Sequence, residues 1–214
     1  MPVEDDVPLD PDAVDAVDAG PIIDAFAATT RLLYVSNDLD EVLQRVTETA
    51  TGTIDGCDVA SLTMLEAGRF VTRAPTGELA LRADELQYEV GEGPCVAAAT
   101  AHGIVHTPDS ARDDRFPAFS PRAAQECGVG GMLSCQLAIS TPGGSVALGG
   151  LNLYATRPNS FTASDLLLAT LYATHAAVIR RSPPRDPAAG GDRVARRHRA
   201  GEGHPHGPGG HHLG

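Results

Sequence analysis

The stretch Tyr88–Thr156 decides the fold of this chain. It opens with Y-E-V-G-E-G-P-C-V-A-A-A-T-A-H-G-I-V-H-T-P-D and closes with G-G-M-L-S-C-Q-L-A-I-S-T-P-G-G-S-V-A-L-G-G-L-N-L-Y-A-T. Pro94 suits the first turn of a helix. Two apolar strands are predicted over 131–140 and 145–156, and a Pro-Gly-Gly turn joins them. Consecutive apolar strands with short turns predict an antiparallel sheet rather than a parallel one.

Hydrophobic periodicity and capping signals place the remaining elements around this stretch. Asp38 is a candidate cap for a helix that starts at residue 39, because Glu41 follows three residues later. Two glycines at 149 and 150 interrupt the last strand and predict a bulge or a close approach by another group. The predicted elements are helices over 22–36, 39–55, 94–102 and 163–181, strands over 57–65, 69–73 and 104–106, a short helix or ordered loop over 78–88, an irregular loop over 108–121, and a short helix over 121–127.

Four motifs in this α+β order resemble those of a GAF domain, and the resemblance covers about residues 21–182. They are the helix that leads into C-D-V-A-S-L-T-M-L, the run V-G-E-G-P-C-V-A-A-A, the loop D-D-R-F-P-A-F, and A-L-G-G-L-N-L-Y-A followed by F-T-A-S-D. The loop is similar to the D-x-R-W-P-x-F of actinobacterial members.

The resemblance implies an antiparallel sheet of five or six strands, with the terminal helices on one face and a ligand pocket on the other. It also implies a homodimer that forms through the terminal helices. The N-K-F-D-E run of the cyclic-nucleotide binders is missing, and no cysteine stands where a bilin would attach. The cofactor or ligand is therefore unknown at this point.

Composition sets further bounds. The net charge is −12, and the chain contains no lysine, so a nucleic-acid groove is not expected in the central region. No apolar run is long enough to span a bilayer and no secretory signal is recognisable, which predicts a cytoplasmic protein with no membrane partner. Its four cysteines are then expected to be reduced thiols. They lack C-x-x-C spacing, so no metal site is expected.

Both ends of the chain differ from the middle. Residues 1–20 carry seven acids and no base, which predicts a disordered acidic lead. Residues 183–214 are rich in Gly, Pro, Arg and His and predict a disordered tail. When the degenerate codons of Ala195–Gly207 are read from each second base, they permit R-D-V-I-G-Q-A-K-G-I-L-M. That run resembles the opening of an ANTAR domain, the RNA-binding module that often follows a GAF domain. The hypothesis is that the chain is a GAF–ANTAR antitermination regulator whose reading frame shifted after the sensor. RNA is then a partner only of a protein that has an intact ANTAR domain.

Cys95 is the candidate for redox chemistry. It follows Gly-Glu-Gly-Pro near a helix N-terminus, where the dipole favours a thiolate. A related position is the catalytic thiol of free methionine sulfoxide reductases, which are also GAF domains. Those enzymes have G-x-G-V-C-G where this chain has G-E-G-P-C-V, and Cys127 is not a convincing resolving cysteine. We therefore expect Cys95 to be a buried or pocket-lining residue and the protein not to be an enzyme.

Polar residues on apolar strands supply the other pocket candidates, since buried polar side chains need partners that a ligand, water or backbone can provide. His106 follows a short strand and could face the pocket. The candidates are Ser61, Thr63, Cys95, His106, Ser134 and Gln136. The leading interpretation is a sensor of a small molecule or of redox state. The alternatives are a reductase that uses Cys95 and a dimerisation module without a ligand.

Overall fold

The computed structural model describes residues 38–101 and 103–181, together with the single positions 20, 24 and 27. Of the predicted helix over 22–36 only Asp24 and Ala27 are described, both in helical conformation; the acidic lead apart from Gly20, and the tail, lie outside the described residues. Four helices and five strands were assigned within them. The helices are α1 (Leu39–Thr53), α2 (Glu78–Val90), α3 (Pro94–Ala101) and α4 (Ala163–Arg181), and the strands are β1 (Val59–Glu66), β2 (Arg69–Arg73), β3 (Ile104–Thr107), β4 (Gly131–Thr141) and β5 (Gly144–Ala155).

The strands form one antiparallel sheet in the order β2-β1-β5-β4-β3, which confirms the predicted α+β class and, of the five or six strands expected, shows five in the described residues. Between β3 and β4 the chain forms short helical turns at Ser110–Arg112, Ser120–Arg122 and Ala123–Cys127. The stretch 78–88, for which a helix and a loop were both open, is the well-formed helix α2.

Local signals account for the helix ends. The carboxylate of Asp38 accepts a hydrogen bond of 3.0 Å from the amide of Asp40, which satisfies one of the free N–H groups at the start of α1. The helix ends two residues earlier than predicted, at Thr53. None of the helices in the described stretches is long and apolar enough to cross a bilayer.

The double glycine in β5 permits a close approach of strands. Gly149 has φ +151°, and a Cβ added there would lie 1.8 Å from the carbonyl oxygen of Thr63 on β1. The pairing of β4 with β5 shifts register at Leu137/Ala138, opposite this glycine. The structure thus has both features that the double glycine predicted, a bulge and a close approach. A side chain at position 149 would push β1 and β5 apart.

The sheet separates two cores. One face packs against α1 and α4 through an aliphatic core that includes Leu43, Leu62, Leu153 and Tyr172. The other face packs against α2, α3 and the segment between β3 and β4, and its core includes Phe119 and Tyr154. The first face is almost entirely apolar, whereas the second carries polar side chains along three adjacent strands. We call this second face the polar face.

Candidate functional site

The polar face carries a row of side chains that strand register brings together. Ser61 on β1 lies opposite Asn152 on β5, which lies opposite Ser134 on β4. All three side chains are fully buried. Ser134 Oγ donates a hydrogen bond of 3.0 Å to Asn152 Oδ1, which leaves the Asn152 amide group directed toward β1. Thr63, two residues beyond Ser61, receives a hydrogen bond of 2.8 Å from Asn152 Nδ2.

Asp84 on α2 is the centre of this site. Its Oδ2 accepts hydrogen bonds from Ser61 Oγ at 2.7 Å and from Thr72 Oγ1 at 2.9 Å. Its Oδ1 accepts hydrogen bonds from Asn152 Nδ2 at 3.0 Å and from the hydroxyl of Tyr154. Each carboxyl oxygen therefore has two donors, and all four donors are neutral groups.

The pKa of Asp84 is raised from 3.8 to about 6, because burial removes the carboxyl from water and the four hydrogen bonds offset this only in part. A perturbed carboxyl among convergent polar groups is typical of functional sites.

A second branch connects the thiol of Cys95 to Asp84. The hydroxyl of Thr63 lies 3.2 Å from Cys95 Sγ and 2.7 Å from the hydroxyl of Tyr88, which in turn lies 3.0 Å from Thr72 Oγ1. Since Thr72 donates its one proton to Asp84, every contact is satisfied only if Tyr88 donates to Thr72, Thr63 donates to Tyr88 and Cys95 donates to Thr63. The resulting chain of donors runs from the thiol to the carboxylate. We call these residues, with Ser61, Ser134, Asn152 and Tyr154, the Asp84 cluster.

The Gly-Glu-Gly-Pro turn fixes α3 against α2. Gln87 Oε1 accepts a hydrogen bond of 2.8 Å from the amide of Cys95, while Gln87 Nε2 donates to the Tyr154 hydroxyl at 3.3 Å. Gly93 has φ +137°, and an added Cβ would lie 2.4 Å from Gln87 Oε1. Glu92 Oε1 accepts hydrogen bonds from the amides of Ala118 and Phe119, which ties the turn to the segment between β3 and β4.

Cys95 is inside the protein and uncharged at neutral pH. Its side chain is fully buried, and both burial and the charge of Asp84 raise the pKa of the thiol far above its usual range. The position after Gly-Glu-Gly-Pro thus does not give the lowered pKa that a helix N-terminus favours, because desolvation outweighs the dipole. All four cysteines of the chain are free thiols in the structure. Cys57 and Cys135 lie on the aliphatic side of the sheet, and Cys127 is half-buried.

The structure places five of the six sequence-predicted residues on the polar-face side of the sheet and His106 on the other. Ser61, Thr63, Cys95 and Ser134 belong to the Asp84 cluster. Gln136 lies one row further along, where its Nε2 donates a hydrogen bond of 3.2 Å to the carbonyl oxygen of Ala99.

His106 points to the opposite side because it pairs in register with Leu133 of the aliphatic core. Its ring lies edge-on to Phe161 with the centroids 6.2 Å apart, and burial lowers its pKa.

Sequence reasoning missed the residues that complete the site, namely Thr72, Asp84, Gln87, Tyr88, Asn152 and Tyr154. Three of them repeat at i, i+3 and i+4 along α2, a spacing that places them on one helix face. Since the sequence allowed either a helix or a loop over this stretch, the spacing did not by itself indicate a helix face. Asn152 and Tyr154 alternate with leucines in L-N-L-Y, which is the pattern of a strand with two different faces.

The acidic loop between β3 and β4 is a structural brace. Asp113 pairs with Arg115 at 2.7 Å and accepts a hydrogen bond of 2.8 Å from the hydroxyl of Thr107. Arg115 also donates to the carbonyl oxygen of His106. These contacts hold the D-D-R-F segment on the edge strand β3, and they lower the pKa of Asp113.

Comparison with known proteins identifies the fold. Residues 36–180 match the family described as GAF domain. Similar solved structures include the GAF domain of a phosphoenolpyruvate-protein phosphotransferase from Acinetobacter, which is 12% identical with a TM-score of 0.56 and covers 86% of this chain and 99% of that one. No curated protein shows a significant match.

Two other similar structures are enzymes. A type II free methionine-R-sulfoxide reductase from Thermoplasma acidophilum is 18% identical with a TM-score of 0.52, covering 66% of this chain and 94% of that one. A free methionine-R-sulfoxide reductase from Neisseria meningitidis, solved with its substrate, is 14% identical with a TM-score of 0.55, covering 72% and 85%. The expectation that the chain is not an enzyme is contradicted by these neighbours. At such identities the likeness shows the fold, and an enzymatic role stays open.

Proposed function

This chain belongs to the GAF domain family, and on that premise we propose that it senses a small molecule at the Asp84 cluster. The observation that supports this most is a fully buried carboxyl on α2, on which polar side chains from three strands converge. An aliphatic core of the same volume would cost less free energy to form, since each buried polar group must give up water. The opposite face of the same sheet is packed by such an aliphatic core.

A thermal-shift screen of the full chain against a metabolite library tests this proposal. We expect at least one metabolite to raise the melting temperature, and the shift to fall in Thr72→Val, which removes one hydroxyl from the cluster without changing its shape. Thr174→Val is the matched control, because Thr174 is an exposed residue of α4 on the other side of the sheet. A library without any stabilising compound would contradict the sensor and favour a dimerisation module.

The output of the sensor is proposed to be transcription antitermination. The support is the tail, whose shifted codons over Ala195–Gly207 permit the R-D-V-I-G-Q-A-K-G-I-L-M run of an ANTAR domain. RNA binding is then lost in this chain. Sequencing the gene across codons 182–207 tests the frame, and an unbroken series of codons with no ANTAR continuation in the alternative frame would refute it.

The sensor is also proposed to form a homodimer through its terminal helices. The support is that Leu167 and Val178, on the outer side of α4, are 40% and 47% exposed and would lose this exposed apolar surface in a helix-to-helix contact. We also propose that the protein is located in the cytoplasm, where cysteines stay reduced, because its four cysteines are free thiols.

Reduction of free methionine sulfoxide is the second candidate function. It is favoured by the reductases among the similar structures and by the donor chain that links Cys95 to Asp84. In that reaction the sulfur of Cys95 takes the sulfoxide oxygen to become a sulfenic acid and methionine leaves. A second thiol then forms a disulfide with Cys95 and releases water.

Thiol-dependent turnover of free methionine sulfoxide by the wild-type chain tests this candidate. Activity that disappears in Cys95→Ser and persists in Cys135→Ser would establish the reductase. Cys135 is an equally buried thiol on the other side of the sheet. The absence of turnover would reject the reductase without affecting the sensor.

A further inference from the structure

Asp84 has no positively charged partner among the residues that the structure describes. Its hydrogen-bond donors are three hydroxyls and one amide. The ion pairs recorded for arginines in these stretches join them to other carboxylates: Arg45 to Glu41, Arg73 to Glu66, Arg112 to Asp109, Arg115 to Asp113, and Arg122 to Glu89 and Glu126. A buried carboxylate without a counter-charge favours the binding of a cation and repels an anion.

An aromatic pair lies at one end of the Asp84 cluster. Phe70 on the edge strand β2 and Tyr88 on α2 are half-buried, and their rings stack with centroids 5.7 Å apart and an interplanar angle of 23°. The Tyr88 hydroxyl is two hydrogen bonds from the carboxylate, through Thr72. On the same face, Leu65 pairs with Phe70 in register and is 45% exposed. The outer end of the cluster is therefore apolar and aromatic, and its inner end is anionic.

We propose that the ligand of this GAF domain is a small organic cation, with a primary ammonium or guanidinium group that replaces neutral hydrogen-bond donors at Asp84 and pairs with its carboxylate, and an apolar body that lies against Phe70 and Tyr88. The proposal rests on the sensor function proposed above and names its ligand class. Aromatic faces attract cations through their quadrupole, so the wall and the carboxylate select the same charge. A neutral ligand would gain only from the wall, and an anion would be repelled.

The net charge of the chain acts in the same direction. The helix that carries Asp84 also carries Glu78 and Glu89, with one arginine, Arg82, and the whole chain has a net charge of −12. This field attracts cations to the surface around α2 and lowers the local concentration of phosphates and carboxylates. It makes an anionic signal molecule such as a nucleotide a poor fit to this site.

Three probes of matched shape test the charge preference on the wild-type full chain. They are phenethylamine, 2-phenylethanol and phenylacetate, which present an ammonium, a hydroxyl and a carboxylate on the same aromatic body. Isothermal titration and thermal melting are expected to show the amine binding at least tenfold more tightly than the alcohol, with no binding of the carboxylate. Because this comparison uses one unchanged protein, it does not depend on the folding of any variant.

Two substitutions then locate the effect. Asp84→Asn is expected to weaken the amine at least tenfold, while Glu85→Gln, the exposed neighbour on α2, leaves its affinity within twofold. Phe70→Leu is expected to weaken the amine severalfold through the loss of the aromatic face.

The outcomes separate this inference from the sensor proposal. Equal binding of the alcohol, tighter binding of the carboxylate, no response to the amine, or full affinity in a folded Asp84→Asn would each overturn the cation class. If the metabolite screen still yields a neutral or anionic ligand that depends on Thr72, the sensor proposal stands and only the ligand class is wrong.

Discussion

Replacing Asp84 with Asn should change how the stability of this protein depends on pH. The pKa of Asp84 is raised by burial from 3.8 to about 6, so the folded state holds this proton over a range in which the unfolded state has released it. Well below pH 3.8 both states are protonated and the full stability is present. Stability then falls as the pH rises from about 4 to about 6, because the unfolded state has released the proton that the folded state still holds, and the loss is complete once the folded carboxyl has ionised above pH 6.

The size of the effect follows from the two pKa values. Their difference corresponds to roughly 3 kcal/mol in total, of which about 2 kcal/mol falls between pH 4.5 and pH 8. His106 titrates in part of the same range with the opposite sign, because burial lowers its pKa and the folded state gains stability as pH rises. The pKa values of Asp58 and Asp113 are lowered, so their contributions are lost only as the solution becomes more acidic. A direct comparison of wild type and variant cancels these groups.

Urea unfolding followed by circular dichroism, at half-unit steps from pH 4.5 to pH 8, measures the effect. We expect the free energy of unfolding of Asp84→Asn, relative to wild type, to increase by about 2 kcal/mol from the acidic to the alkaline end. Glu85→Gln on the same helix is the control and should follow the wild-type curve.

A difference between wild type and Asp84→Asn that is constant with pH would refute the reasoning. It would mean that the four hydrogen bonds fully compensate for burial. A carboxyl carbon NMR titration of wild-type Asp84 gives the same pKa without any substitution. A midpoint below 4 in that titration would contradict a raised pKa independently of whether the variant folds.

Three further predictions follow from packing and exposure. Gly149→Ala should destabilise the fold by about 3 kcal/mol or more because an added Cβ would meet a β1 carbonyl oxygen at 1.8 Å, whereas Gly143→Ala, with its nearest contact at 3.9 Å, should change the unfolding free energy by less than about 0.5 kcal/mol. Leu167→Glu should shift the molar mass measured by light scattering toward the monomer, whereas Leu81→Glu, at a similarly exposed position of α2, should not. Equal behaviour of the two variants would contradict a dimer through α4. A colorimetric disulfide reagent should react rapidly with one thiol in the native protein and with four in urea, because three of the four cysteines are buried. The rapidly reacting thiol should be absent in Cys127→Ser, and rapid reaction of a second thiol in the native protein would refute this.

The sequence predicted the sheet and its neighbours because their signals are local. Alternation in C-D-V-A-S-L-T-M-L and the cap at Asp38 depend only on residues close together in the chain, and both predictions agree with the structure. Glycine in the middle of a strand weakens it, so the pair at 149 and 150 indicated a close approach of another group. That prediction was also correct. The boundaries moved by a few residues at most in β1 and α1.

The candidate site was predicted only in part, because residue type and strand periodicity do not fix which face of a sheet is which. Ser61, Thr63 and Ser134 were found since polar residues on apolar strands are conspicuous. His106 looked equally suitable, but the register of β3 against β4 turns it toward Phe161. Asp84 was missed because a carboxylate on a helix with several other acids looks like a solvated surface residue.

The sequence by itself determined the α+β fold, the order of its elements and the polar character of three strands, since hydrophobic spacing, caps and glycines act over a few residues. Only the tertiary structure decided that α2 lies across those strands with Asp84 directed inward. That packing buries a carboxylate among neutral donors, raises its pKa, and keeps the Cys95 thiol protonated where the helix N-terminus alone would favour a thiolate. Desolvation depends on everything that surrounds a group, and residues from β1, β2, β5 and α2 meet at this point only when the chain is folded.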